Sequence, residues 1–222
     1  MIPRELLGTA IVPGGGEELR LFRRGEDFMI VLDRNELMNS RMSGSEEALA
    51  TMTIERLGKR DAHLLIGGYG MGFTLRASCG SLSPKGKITV VELVPEIVSW
   101  AKEFMATLTG DTFDDPRLEL VIGDVADSIR SGSYDAILLD VDNGPDGLTR
   151  NANDRLYSAA GLGTAKAALS PGGILAVWSA APDRHFARRL SEAGFAVEEV
   201  TLAARANGKG PRHTIWFAQK RR

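Results

Sequence analysis

The residues best placed to do chemistry begin at Leu64-Leu65-Ile66-Gly67-Gly68-Tyr69-Gly70-Met71-Gly72. An apolar run enters a glycine-spaced turn, and a helical pattern follows. Glycine suits such a turn because it tolerates positive φ, and because a missing Cβ lets the backbone approach a ligand. The N-terminal N–H groups of the following helix would point at the same place. Glu92 ends the next apolar run, about 20 residues on, where an acid accepts ribose hydroxyls in a doubly wound fold. Gly123-Asp124 ends the third run, where a carboxylate can receive an adenine amino group, and Asp140 ends the fourth. Taken singly, each acid reads equally well as a solvated loop carboxylate. Three acids at successive strand ends, where open α/β sheets bind ligands, point instead to a nucleoside site. A nicotinamide dinucleotide or an S-adenosyl nucleoside would both suit this arrangement. The spacing departs from the dinucleotide fingerprint, since Gly70 is followed by Gly72 and Phe73, and no Lys-Ser/Thr pair follows to make a phosphate loop.

Alternating elements must carry these residues. Strand-like runs occur at 62–66, 87–92, 118–122, 135–140, 173–178, 195–201 and 213–218, with helical patterns near 72–80, 95–108, 125–131, 153–169 and 183–193. Pro95 suits a first helical turn, and Ile97, Trp100, Ala101, Phe104 and Leu108 recur at helical spacing. Near-continuous apolar strands separated by helices predict an α/β, doubly wound, mostly parallel seven-stranded sheet. The last two runs lack an intervening helix and are joined by the polar loop Ala204 to Pro211, so the last strand should be antiparallel. Residues 1–42 read as a small antiparallel β appendage and residues 43–222 as the nucleoside-binding domain. Within the appendage, strands are expected at Leu7–Val12, Glu18–Phe22 and Phe28–Leu32, with turns at Arg24–Asp27 and Asp33–Glu36. Ser43 and Glu46 have capping-box spacing at the start of the next helix.

The chain has 222 residues, 43% hydrophobic and 25% charged, which is ordinary for a globular protein. A net charge of −2 provides no basic field for nucleic acid. No apolar stretch approaches the ~20 residues that span a bilayer, and Met1-Ile-Pro-Arg-Glu is not a signal peptide. A cytoplasmic location is expected. Cys79 is the single cysteine, which excludes an internal disulfide and a multi-cysteine zinc site, and no metal is expected.

Three further segments carry a family resemblance: Val91-Glu-Leu-Val-Pro-Glu96, Asp115-Pro-Arg-Leu-Glu-Leu-Val-Ile-Gly-Asp124 and Ala168-Leu-Ser-Pro-Gly-Gly-Ile-Leu175. With Phe22 to Leu37 and Ser45-Glu-Glu-Ala48, the chain resembles the spermidine synthase (polyamine aminopropyltransferase) branch of the class I S-adenosylmethionine-dependent methyltransferase fold. The resemblance implies a donor site made by Gly67, Gly68, Tyr69, Gly70, Gly72, Glu92, Leu93, Gly123, Asp124 and Val125. Glu92 would hold the ribose of decarboxylated S-adenosylmethionine, Asp124 its adenine, and Val125 would lie against the ring. Asp140 would orient or deprotonate the attacking amine, with Asp142 as a second catalytic acid. Glu47 and Asn143 fall at positions implied to bind the acceptor.

The chain also departs from that family. The family's glycine loop carries an aspartate, whereas Gly67–Gly72 has no acid. The aspartate-x-x-aspartate-proline motif reads Asp140-Val-Asp142-Asn143-Gly-Pro145, and the usual histidine–glutamate pair reads Glu46-Glu47. These changes leave nucleoside binding intact and bear on the acceptor.

Three activities fit. One is aminopropyl transfer from decarboxylated S-adenosylmethionine to an amine, and another is methyl transfer from S-adenosylmethionine to an unidentified small acceptor. The third is nucleoside binding without transfer. A polyamine acceptor would need an acidic pocket, which Asp140, Asp142, Asp146, Glu46 and Glu47 could supply, although Asp142 and Asp146 also suit a turn. Tyr157 follows that loop and could reach the acceptor. Tyr69 either faces the donor's tail or lies against the helix at 45–57. His213, beginning the last strand, could line the acceptor pocket, while His63 reads as structural. Exposed edges of the appendage would need covering, which points to a homodimer.

Overall fold

A computed structural model describes residues 2–141, 154–205 and 207–221. The N-terminal sheet has four antiparallel strands in sequence order: β1 Glu5–Ile11, β2 Glu18–Arg24, β3 Asp27–Leu32 and β4 Asn35–Asn39. The Gly25-Glu26 turn joins β2 to β3, with Arg24 opposite Asp27 and Gly25 at φ 63°. The fourth strand lies where the sequence predicts only a turn. Asp33 at φ 52° closes that hairpin with Arg34, so Asn35 already pairs with Leu32. Asp is among the few residues that accept this conformation at modest cost.

The second sheet has seven strands in the order β10-β11-β9-β8-β5-β6-β7. These are β5 His63–Gly67, β6 Lys87–Glu92, β7 Leu118–Ile122, β8 Tyr134–Leu139, β9 Leu169–Ser179, β10 Phe195–Ala203 and β11 Arg212–Lys220. β11 is antiparallel to both β9 and β10, and the β5, β6, β7, β8 and β9 pairs are parallel. Helices α1 Gly44–Leu57, α2 Phe73–Ser81, α3 Pro95–Glu103, α4 Ala106–Thr109, α5 Val125–Ser131, α6 Asp154–Tyr157, α7 Ala159–Ala168 and α8 Arg184–Glu192 connect them. Two apolar clusters form, one including Leu64 and Ile66, the other Leu65. Alternate residues of one strand thus serve opposite faces, as a sheet covered on both sides requires.

Two predicted helices are interrupted. The 95–108 pattern breaks at Phe104–Met105, where Met105 leaves helical geometry (φ −107°, ψ 23°) and is fully buried. The 153–169 pattern breaks at Ser158, whose hydroxyl accepts from Gly161 N at 3.1 Å and starts a new helix. The Ser43 cap is also absent: Ser43 makes no side-chain cap hydrogen bond, and Glu46 takes its bond from Ser45. Glu46 bonds Ser45 and its own backbone N–H in place of the reciprocal contact of a capping box.

The chain moves from β5 through β6 and β7 to one side, then returns to place β8 on the other side of β5. A reversal of this kind opens a crevice at the carboxyl ends of the strands. The N-terminal sheet meets α3 through Trp100, whose Nε1 lies 2.4 Å from where a Cβ on Gly8 would stand. Replacing Gly8 with Ala should therefore overpack this contact and cost about 1–3 kcal/mol. Urea denaturation measures that loss, and an unchanged midpoint would show that Trp100 does not anchor β1.

Candidate active site

The glycine loop is shaped by contacts that only glycine permits. Gly68 has φ 87°, and a Cβ there would lie 2.5 Å from the Asp140 carbonyl oxygen. Gly70 has φ 57° and faces Met38 Cε, 3.0 Å from a hypothetical Cβ, while Gly72 at φ 78° caps α2. Gly67 is held between Val125 and Leu139. Hydrogen bonds tie the strand ends together: Gly68 N to Val91 O at 2.9 Å, Asp140 N to Gly67 O at 3.0 Å, and Gly123 N to Glu92 O at 2.8 Å.

Glu92 is buried, and its carboxylate accepts from Tyr69 N at 2.8 Å and Val94 N at 2.9 Å. Burial raises its pKa, and the backbone N–H groups oppose that rise. The N–H groups of Gly70 and Leu93 also act on it, so the glycine loop and the strand end together fix the orientation of the carboxylate. Asp124 caps α5 by accepting from Ala126 N at 2.8 Å, and Val125 is buried beside it. Gly68, Gly70, Glu92, Leu93, Gly123, Asp124, Val125 and Asp140 all line one open cleft. The open space between its walls, solvent at the mouth included, is about 1020 Å³. Glycine on one wall, a buried acceptor at the floor and an apolar rim fit an adenosine moiety.

The opposite wall was not legible in the spacing of motifs. Leu19, Ile30 and Leu32 of the N-terminal sheet line the cleft, as do Leu37 and Met38. Glu17 also lines it, and its Oε2 is buried with no hydrogen-bond partner among the described residues. Alternation in β2 and β3 signals a buried face, but says nothing of what that face covers.

Asp140 begins a second acidic region. Its Oδ2 accepts from Thr74 Oγ1 at 2.9 Å, and burial raises its pKa to about 6. The same Thr74 hydroxyl lies 3.3 Å from the carbonyl oxygen of Glu46. The Glu46 carboxyl is raised to about 8, by burial first and then by the charge of Asp140. Ser45 Oγ stands 2.7 Å from Glu46 Oε2 and 2.8 Å from His213 Nδ1. Thr74 of α2 thus holds Asp140, and Ser45 links Glu46 of α1 to His213 of β11; no sequence motif marks these residues as a group.

Three predicted side chains have partners of their own. Tyr69 stacks on Phe113 with ring centroids 5.3 Å apart, and its backbone N–H, not its ring, serves the site through Glu92. Glu47 is paired with Arg76 at 2.6 Å. Tyr157 is buried edge-to-face against Phe186, in the apolar cluster that also holds Leu162 and Trp216. Asp142, Asn143 and Asp146 lie outside the described residues.

The profile of the spermine/spermidine synthase domain matches residues 42–188 of this chain. The chain belongs to that family. Its match covers α1, the glycine loop and all four strand ends that line the cleft. A polyamine aminopropyltransferase from Korarchaeum cryptofilum is 36% identical over 97 residues, 43% of this chain and 29% of that protein. Putrescine N-methyltransferase 1 from Nicotiana tabacum is 37% identical over 115 residues, 50% of this chain and 28% of that protein. The matched segments therefore span less than a third of either relative. The crystal structure of spermidine synthase from Thermotoga maritima superposes with a TM-score of 0.76 at 19% identity, covering 97% of this chain and 72% of that one. Both sheets described above thus form a fold shared with the family.

Glu46 has a direct consequence for stability. An acid whose pKa lies higher in the folded than in the unfolded chain contributes stability that is lost as pH rises. Here the loss should run from the ordinary carboxyl value of 4.5 to about 8. Glu46→Gln should match the parent near pH 4 and melt roughly 5 °C higher near pH 8.5. Thermal unfolding across that range tests this, and parallel curves would contradict the assigned shift.

Proposed function

We propose that this chain is a transferase that passes an aminopropyl group from decarboxylated S-adenosylmethionine to a small amine, a polyamine precursor by class. The observation that carries this reading is the placement of Asp140. Asp140 lines the cleft, with its backbone carbonyl beside Gly68 and its carboxylate held by the Thr74 hydroxyl. Family membership supports the donor class. The donor supplies a sulfonium whose adjacent carbon is open to displacement, and the protein's work is to align, desolvate and manage one proton.

An aliphatic amine is an ammonium ion near pH 7 and has no lone pair until it loses a proton. Asp140 would hold that ammonium at the cleft and accept the proton, leaving a neutral amine. The nitrogen pair then forms the new C–N bond as the C–S pair returns to sulfur. Glu92, Leu93, Gly123, Asp124 and Val125 would hold the nucleoside, with Glu92 at the ribose. Residues 43–222 would form the catalytic domain and residues 1–42 the appendage that closes the cleft. No helix among the described residues is long and apolar enough to cross a membrane.

Methyl transfer from S-adenosylmethionine is the second reading, favoured by one observation. Gly70 occupies the loop without an acid, and Met38 fills the space a side chain would take. An ammonium on the donor's tail therefore finds no carboxylate in the glycine loop.

Titration calorimetry with each donor separates the two. Decarboxylated S-adenosylmethionine should bind with the tighter Kd; tight binding of S-adenosylmethionine alone would sink the aminopropyl reading. Asp140→Asn should lower kcat for transfer by roughly 100-fold or more while donor affinity stays near the parent value. Transfer at the parent rate in that variant would remove Asp140 from the mechanism.

A further inference from the structure

Proton management at Asp140 needs an exit, and the chain offers one from an unexpected side. Glu46 comes from α1, on the side of Asp140 defined by Thr74. Its carbonyl oxygen and the Asp140 carboxylate both lie within reach of the Thr74 hydroxyl, at 3.3 and 2.9 Å. Two carboxyl groups in one poorly solvated region do not both ionise readily, so one of them holds a proton. Glu46 is the one that holds it, because burial and the Asp140 charge both raise its carboxyl while Asp140 keeps the Thr74 hydroxyl as a donor to its ionised form.

Ser45 is fully buried between Glu46 and His213, 2.7 Å from one and 2.8 Å from the other. A hydroxyl has one proton to donate and two lone pairs to accept with. Two complete patterns satisfy this row. In one, protonated Glu46 donates to Ser45 Oγ, and Ser45 donates to the unprotonated Nδ1 of His213. In the other, Nδ1–H of His213 donates to Ser45, and Ser45 donates to ionised Glu46. His213 is itself buried, with its ring edge-on to Trp178 at 4.7 Å between centroids. Burial lowers its pKa, so the imidazole passes a proton on and does not keep it.

We propose that Glu46, Ser45 and His213 form a proton-exit relay through which a cationic amine, on entering beside Asp140, discharges the proton held by Glu46. The inference rests on the amine-transfer reading for the identity of the cation, but not for the relay's existence. As the cation stabilises both carboxylates, the Glu46 O–H proton moves to Ser45 Oγ and the Ser45 proton moves to His213 Nδ1. The ring then releases its Nε2 proton to water, which reaches the 7% of His213 that stays exposed. One proton leaves in total, and the row passes from the first pattern to the second. Glu46 thereby leaves the site able to keep Asp140 and itself ionised around the ammonium, with Asp140 free to take the proton that the attacking nitrogen sheds. Ser45 and His213 act through Glu46 and are positioning residues.

The titratable groups bearing on Glu46 are Asp140 from the end of β8, Glu47 on its own helix, paired with Arg76 of α2, and His213 of β11 through Ser45. Nitrogen NMR on the ligand-free chain should show His213 Nδ1 changing from acceptor to N–H donor as Glu46 ionises. Glu46→Gln should abolish that step. A His213 signal indifferent to Glu46→Gln overturns the relay, whatever the chain transfers. Calorimetry of putrescine binding at pH 7, in two buffers of different ionisation enthalpy, should report about one proton released by the parent and about none by Glu46→Gln. Equal proton release from both overturns the discharge step.

Ser45→Ala removes one atom and keeps both acids. It should lower kcat roughly 100-fold at pH 7 with KM within about twofold, the deficit shrinking as pH rises and free amine accumulates. A pH profile parallel to the parent's would mark Ser45 as merely structural and overturn its role. An intact NMR step in a chain that transfers nothing to any amine would instead defeat the functional reading and leave the relay standing.

Discussion

The Glu92 carboxylate is the interaction on which the ligand half of this protein depends. It accepts backbone N–H groups from Tyr69, in the glycine loop, and from Val94, at the entrance to α3. Both donors are buried, and leaving them unpaired would cost the full desolvation of each group. The same carboxylate thus fixes the loop, the helix start and the floor of the cleft. An acid so deeply buried persists because fixed backbone dipoles surround it.

The cleft needs a second wall, and a separate sheet provides it. β2 and β3 turn Leu19, Ile30 and Leu32 toward the strand ends of the larger sheet. Trp100 seated at Gly8 holds β1 against α3. Apolar residues on this wall lower the polarity of the cleft, which strengthens polar contacts made inside it. Glu17 is the exception, an acid at the edge of an otherwise apolar surface.

On the other side of Asp140 the electrostatics change character. Glu92 is stabilised by backbone donors, whereas Asp140 has the Thr74 hydroxyl and Glu46 the Ser45 hydroxyl, with each carboxyl opposing the other's charge. Environment alone separates these three acids into one buried, fixed acceptor and a half-buried pair whose carboxyls are both raised by desolvation. Such a division suits an active site where one substrate must be held and another deprotonated.

The amino-acid sequence by itself determined the seven-stranded sheet, its antiparallel last strand and the order of the four strand ends that carry Gly67–Gly72, Glu92, Asp124 and Asp140. Apolar runs and glycine spacing are local signals, written in consecutive residues, and they survive without knowledge of distant neighbours. β4 was hidden because a two-residue turn closed by Asp33 leaves little sequence between strands. The break at Met105 was hidden because a buried methionine fits a helical pattern as well as a helix end. Only the tertiary structure decided that Tyr69 faces Phe113, that Glu47 is taken by Arg76, and that Tyr157 lies in the core against Phe186. It alone brought Ser45 to His213, 168 positions away along the chain. Side-chain direction at a loop or helix start depends on which distant element supplies a partner, and no spacing rule encodes that choice.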